Sequence, residues 1–179
     1  RQVRDVNIAQ CIIESNVDGG QIDIVDYITD FSYYESILEP SIRTNITYVD
    51  TGRAIKKDNS TQSVIDGLPL YTTEYVNIKI SDGNNVELNI EQYITSVVPV
   101  GQDIQKSVVT LDLVSEEGII NYKAAVNQRF DGKISEHVKK ILTDKRYLGT
   151  EKKLDIEETE NNYTFIGNQK RPFYSILTL

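Results

Sequence analysis

Residues 42–49 read Ile-Arg-Thr-Asn-Ile-Thr-Tyr-Val, and the alternation is unbroken: Ile42, Thr44, Ile46 and Tyr48 fall on one side, Arg43, Asn45, Thr47 and Val49 on the other. A period of two marks a strand with one face turned to a core and the other to water; it does not fit a helix, whose period is 3.6. Pro40 drives Glu39 out of the helical region, so 35–40 form a corner. Ahead of the corner, Phe31, Tyr33 and Tyr34 belong to a second extended run, and Asp50-Thr51-Gly52 closes the alternating strand with turn chemistry. Two strands meeting at such a corner predict the wall of a closed or nearly closed antiparallel barrel.

The rest of the front part follows the same rule. Asn7–Glu14 is a strand, Asp18-Gly19-Gly20 a turn, and Gln21–Tyr34 a long run with an irregularity near Asp26. Residues 53–61 are charged and loop-like, and Ser63–Gly67 hold one helical turn ended by Gly67. Strands at 73–81 and 86–90 flank an Asp-Gly-Asn-Asn turn, and two further strands, 92–100 and 107–114, are joined across 101–106. Seven or eight short strands in this span suggest a sandwich or barrel.

At Ser115 the pattern changes. Ser115 caps a helix whose first turn holds Glu116 and Glu117, where acids favour the helix dipole. Ile119, Tyr122, Val126 and Phe130 recur at helical spacing up to Asp131-Gly132, and a second helix from Ser135 lines up Ile134, Val138, Ile141 and Leu142. Residues 152–159 and 163–167 read as a hairpin, and Pro172–Leu179 opens an amphipathic element. The expected class is α+β, mainly β. An antiparallel tube-type β-barrel occupies residues 1–114, and 115–179 are the start of a truncated α/β domain. A start without Met and an abrupt end suggest a piece of a longer protein.

The balance of 19 Lys and Arg against 27 Asp and Glu gives a net charge of −8, unsuited to general phosphate binding. No apolar run approaches the roughly 20 residues of a membrane helix, and the polar Arg1-Gln2-Val3-Arg4-Asp5 is no secretion signal. The single Cys11 forms no internal disulfide and reads as a reduced, buried thiol; the competing reading as a nucleophile lacks a basic sequence neighbour.

Sites of chemistry are scarce. There is no glycine-rich phosphate loop and no zinc spacing, so no cofactor or metal is expected. His137 reads as a solvated helix histidine, with general base as the alternative. Asp23, Asp26 and Asp30 form an acidic set. A cation site or a glycosidase carboxylate pair is one reading; a charged outer or lumen face is the other, favoured because Ile, Val and Tyr intervene. Glu157, Glu158 and Glu160 blunt a hairpin edge. The sequons at Asn45, Asn59 and Asn162 are accidental in a chain rich in Asn and Thr. Eleven Tyr against four Phe and no Trp fit either interface rings or half-exposed strand positions.

Ile28-Thr29-Asp30-Phe31-Ser32-Tyr33-Tyr34-Glu35-Ser36-Ile37-Leu38-Glu39-Pro40-Ser41, followed by the strand ending Val49-Asp50-Thr51-Gly52, resembles the first barrel of phage baseplate hub subunits. These are the central hub proteins of T4-like contractile-tailed phages; the same fold opens the VgrG spike of type VI secretion. The resemblance continues through Tyr93–Val100, Val108–Glu117, Phe130-Asp131-Gly132-Lys133-Ile134-Ser135, Val138–Leu142 and Lys170–Leu177. It implies a longer protein with two tube-like barrels, whose trimer joins the sixfold tail tube to the threefold spike in the virion. The implied partners are other copies of the chain, the tail tube protein, the spike protein and DNA passing without specific binding.

No catalytic motif is carried over. The residues expected at an interface or lumen are Asp23, Asp26, Asp30, Tyr33, Tyr34, Arg43 and Tyr48. The barrel wall is expected to be polar on both faces, with part of the net charge turned to the lumen. A soluble β-sandwich binding module for carbohydrate or protein is the alternative, and a glycosidase built on the three aspartates a third.

Overall fold

The computed structural model describes residues 7–57, 60–82, 86–102 and 106–179. The chain divides into two units, 1–115 and 116–179.

In the first unit the alternating run is β4 (Arg43–Asp50), one of seven strands in a single antiparallel sheet. The others are β1 (Asn7–Glu14), β2 (Gln21–Asp23), β3 (Ile28–Tyr34), β7 (Tyr75–Ser81), β8 (Glu87–Gln102) and β9 (Ser107–Val114). They lie in the order β2-β1-β7-β8-β9-β4-β3 and curl into a half-barrel. Between them come a small hairpin, β5 (Ile55–Lys57) and β6 (Ser60–Gln62), and the one-turn helix α1 (Val64–Gly67). The loop expected at 53–61 is therefore paired backbone on either side of 58–59, which lie outside the described residues.

Two bent runs produce the curl. The long run from Gln21 supplies both margins of the sheet: β2 pairs with β1 and β3 pairs with β4, with Ile24 and a 3-10 turn at Val25–Tyr27 between them. The irregularity near Asp26 is this turn. The second bent run is β8, whose first half pairs with β7 and whose second half pairs with β9; Tyr93 faces both Tyr75 and Val114. Bulges at Ile94/Ser96 and Pro99/Gly101 fall in the half paired with β9, where such irregularities bend a strand and increase its twist. The sequence splits β8 near Glu91, but the strand is continuous. Gln92 is buried and its amide donates to the Ile42 carbonyl, so a polar residue there does not interrupt pairing. The tips expected at 82–85 and 101–106 fall largely outside the described residues.

The concave side is filled. Ile13, Ile46, Tyr48, Ile78, Ile94 and Leu111 are fully buried there, joined by Val64, Leu68 and Leu70 from α1 and its exit. Each such side chain contributes roughly 1.5–3 kcal/mol before the entropy of ordering it. This corrects the expectation of two polar faces: apolar residues alternate with polar ones in register across neighbouring strands, so one face is mainly apolar, with Thr44, Asp50 and Gln92 buried among the apolar side chains. Asp50, 2% exposed, ties α1 to β4 by accepting from Val64 N–H at 2.6 Å and Gly52 N–H at 2.8 Å. The Ser63 hydroxyl caps α1 by accepting from Asp66 N–H at 3.0 Å.

The second unit holds α2 (Glu116–Lys123), β10 (Arg129–Phe130), α3 (Ile134–Thr143), β11 (Phe165–Ile166) and α4 (Pro172–Leu177). Helix α2 stops at Lys123, well short of the expected Phe130. Val126 instead bridges to Lys170 and Phe130 pairs with Phe165; their helical spacing is incidental. Residues 152–159 form no strand, and β11 pairs with β10. Phe130 centres the small core: its ring lies 5.5 Å from His137, 6.3 Å from Tyr147 and 5.6 Å from Phe165, centroid to centroid.

Candidate assembly interface

The corner after β3 concentrates three of the expected residues. Register pairs Tyr34 with Arg43 and Tyr33 with Thr44. The Tyr33 hydroxyl donates to Glu35 Oε2 at 2.9 Å; partial burial, and then that carboxylate, push it up to about 12. Arg43 reaches back to Glu39 at 3.1 Å, an exposed pair worth at most about 1 kcal/mol. Ser36 holds the turn by accepting from Leu38 N–H at its hydroxyl and from Glu39 N–H at its carbonyl, both at 3.2 Å, but the apolar side chains of the corner are uncovered. Ile37 is 103% exposed, Leu38 85% and Tyr34 60%. Two full-length aliphatic side chains in water between two glutamates mark a surface suited to burial by something else.

The three aspartates do not converge. Asp23 Oδ1 accepts from the N–H groups of Cys11 and Val25, both at 3.0 Å, so it fastens the bend after β2 to β1. Asp26 lies exposed in the 3-10 turn, and exposed Asp30 faces Thr47 across the β3–β4 ladder. No group of three metal-ligating side chains occurs among the described residues. Tyr48 needs correction: it is fully buried, its hydroxyl has no hydrogen-bond partner among the described residues, and burial, then Asp50, raise its pKa. A strand's inward position cannot serve a surface. Cys11 is the buried thiol expected, pushed up to about 12 by burial and then by Asp23.

His137 also differs from expectation. It is 3% exposed, not solvated; its Nε2 lies 2.7 Å from the Tyr163 carbonyl and its ring meets Phe130 edge-on. Its partner is 26 residues away in sequence, so helical spacing gave no hint of it.

A polar ladder on the outer face of the large sheet escaped the sequence reading. Asn45 Nδ2 donates to Asp112 Oδ1 at 2.7 Å, the Thr47 and Thr110 hydroxyls lie 3.0 Å apart, and Asn77 Nδ2 donates to Asn89 Oδ1 at 3.0 Å. The rings of Tyr75 and Tyr93 pack edge-on at 5.7 Å. Cross-strand pairs like these hold their side chains flat against the sheet. The signal was the period of two read across strands, which needs the register. Charge is also unevenly shared: residues 1–115 carry 17 acids against 8 bases, and residues 116–179 carry 10 against 11.

The second unit presents its own surface where α2 meets α4. Asn121 Oδ1 accepts from Phe173 N–H at 2.9 Å and fixes the two helices. Arg171 then lies 4.8 Å over the Tyr122 ring, and Lys170 lies 5.3 Å over the Tyr174 ring. Tyr122 is 74% exposed and Tyr174 54%. Among the described residues Lys123, Lys170 and Arg171 join no ion pair. Elsewhere in this unit Lys152 Nζ donates to Glu117 Oε2, and Thr150 Oγ1 to Glu117 Oε1, each at 2.7 Å. Burial pushes the Glu117 carboxyl up, but these hydrogen bonds outweigh it and hold it below the ordinary glutamate value.

No protein-family model and no curated protein matches the sequence. Among solved structures, the 43 kDa tail protein of prophage MuSo2 from Shewanella oneidensis matches 94% of this chain with a TM-score of 0.59 and 11% identity. The chain spans 46% of that protein's length. An Escherichia coli type VI secretion system component, described as similar to bacteriophage T4 tail proteins gp27 and gp5, aligns at a TM-score of 0.42 with 10% identity. That match covers 97% of this chain and 40% of the other, and at that score no shared fold follows from it.

Proposed function

We propose that this chain is a structural component of a phage-type tail baseplate: the central hub subunit that adapts a sixfold tail tube to a threefold spike, with no enzymatic role. The observation that carries this reading is the fold shared with the MuSo2 43 kDa tail protein over 94% of the chain. The hub-like phrase from Ile28 to Ser41 supports it from the sequence side.

In this reading the chain works in the virion as part of a trimeric ring, with tail tube and spike proteins as neighbours. The barrel interior is filled with side chains, so passing DNA would run along an outer sheet face. The polar ladder suits that role: its exposed Glu91 and Asp112 repel phosphate, and its side chains already bond one another.

The test is electron cryomicroscopy of the full-length protein assembled with its tail tube and spike. A threefold ring with the ladder face inward is expected, and Asp112→Lys with Glu91→Lys should slow DNA ejection. A full-length protein that never enters the baseplate would refute the reading.

A further inference from the structure

Two surfaces on this chain are unexplained by its own folding, and they are complementary. The corner at 35–40 offers Ile37 and Leu38, 103% and 85% exposed, between Glu35 and Glu39. The α2–α4 face offers exposed Tyr122 and Tyr174 beneath Arg171 and Lys170. One is apolar with an acidic rim; the other is aromatic with a cationic rim. From this complementarity we infer that the 35–40 corner of one copy docks on the Tyr122–Arg171–Tyr174 face of a second copy.

The aromatic rings supply flat apolar area for Ile37 and Leu38 at little entropic cost, since a tyrosine has few rotamers to lose. The glutamates meet cations that join no ion pair among the described residues. Glu35 and Glu39 already hold a tyrosine hydroxyl and an arginine, so the corner arrives with its acids oriented, which lowers the cost of association. The units' charges agree: a net −9 for residues 1–115 meets a net +1 for residues 116–179. A nucleic-acid backbone is the weaker occupant, because three cations on a chain of net charge −8 give little phosphate affinity, and it leaves Ile37 and Leu38 in water.

A contact between two different surfaces of identical chains is heterologous. Repeated, it closes a ring when the rotation between copies closes, and otherwise grows a filament. The inference thus rests on the assembly reading above and names the surfaces that would carry it.

Sedimentation velocity on the full-length protein tests it with four samples beside the wild type: Glu35→Lys, Arg171→Glu, an equimolar mixture of the two, and Glu87→Lys. The last is an exposed acid on β8 whose reversal changes net charge as Glu35→Lys does. Either reversal in the contact should weaken self-association about tenfold, since like charges face each other across it. The mixture should recover dimers, because the corner made basic in one variant then meets the face made acidic in the other, and Glu87→Lys should match the wild type.

A wild type monomeric throughout, or a mixture no stronger than its components, overturns the inference. If Arg171→Glu weakens assembly and Glu35→Lys does not, another partner occupies the face, which also overturns it. Variants that still form the wild-type ring sink this pairing and leave the hub reading standing.

Discussion

Gly167 leaves no room for one added carbon. Its φ lies outside the left-handed region that favours glycine, so the constraint is one of space. A Cβ there would stand 2.4 Å from both Cγ1 and the carbonyl oxygen of Val126, and 2.7 Å from its carbonyl carbon. Ordinary contact begins near 3.4 Å, so the two backbones must part by about 1 Å. They cannot do so freely. Gly167 N–H donates to Gln128 O at 3.0 Å, Gln169 N–H to Val126 O at 3.0 Å, and Val126 N–H to Lys170 O at 2.8 Å.

Losing two such bonds at about 1 kcal/mol each, with about 1–3 kcal/mol of overpacking, puts Gly167→Ala at about 3–5 kcal/mol. A unit of this length has a total of roughly 3–10 kcal/mol. The variant should therefore lose amide-exchange protection across 124–131 and 163–171 at neutral pH, and its urea midpoint for this unit should fall steeply. Gly101→Ala, where nothing lies within 4 Å of the added carbon, is the control. Exchange and midpoint indistinguishable from the wild type in Gly167→Ala would show that the crossing is not tight, and the reasoning would fail.

Three further outcomes are expected. Tyr48→Phe should leave urea stability unchanged or raise it by about 1 kcal/mol, since the hydroxyl it removes is buried without a partner among the described residues; a loss above about 1 kcal/mol would reveal a bond to Tyr48. Glu117 is held below its ordinary value, so its tie to Lys152 and Thr150 stabilises above the unfolded glutamate pKa of about 4.3 and is lost as pH falls through the lowered native value. The urea-midpoint gap between wild type and Glu117→Gln should accordingly shrink on acidification, and a gap that widens contradicts it. Cys11, buried and pushed up to about 12, should react with a thiol reagent only as fast as the protein opens; fast labelling of the native protein would contradict that.

Alternation carried most of the first unit. Residues 43–50, 75–81 and 107–114 announce their inner faces because each is one strand paired on both sides. Failures came where tertiary structure overrides local pattern. Gln92 looks like a break but is buried with its amide on Ile42 O. Val126 and Phe130 keep helical spacing but find their partners 44 and 35 residues on, at Lys170 and Phe165. Residues 152–159 alternate like a strand but pair with no strand among the described residues. Of the expected interface residues, Tyr33, Tyr34 and Arg43 gather at one corner because they flank one turn. Tyr48 does not join them, since its parity puts it inward. The α2–α4 face was illegible because Tyr122 and Arg171 meet only once the second unit has folded.

The β4–β9 pairing has a consequence for biosynthesis. Arg43 is matched with Val114 and Asp50 with Ser107, so partners lie 57 to 71 residues apart along the chain. On a ribosome the β3–β4 hairpin would emerge first and wait, its other margin unsatisfied, until β9 had been translated. Such distant closure slows folding and leaves a sticky intermediate. Translation rate and chaperone supply should therefore govern soluble yield more strongly than the finished sheet's stability does.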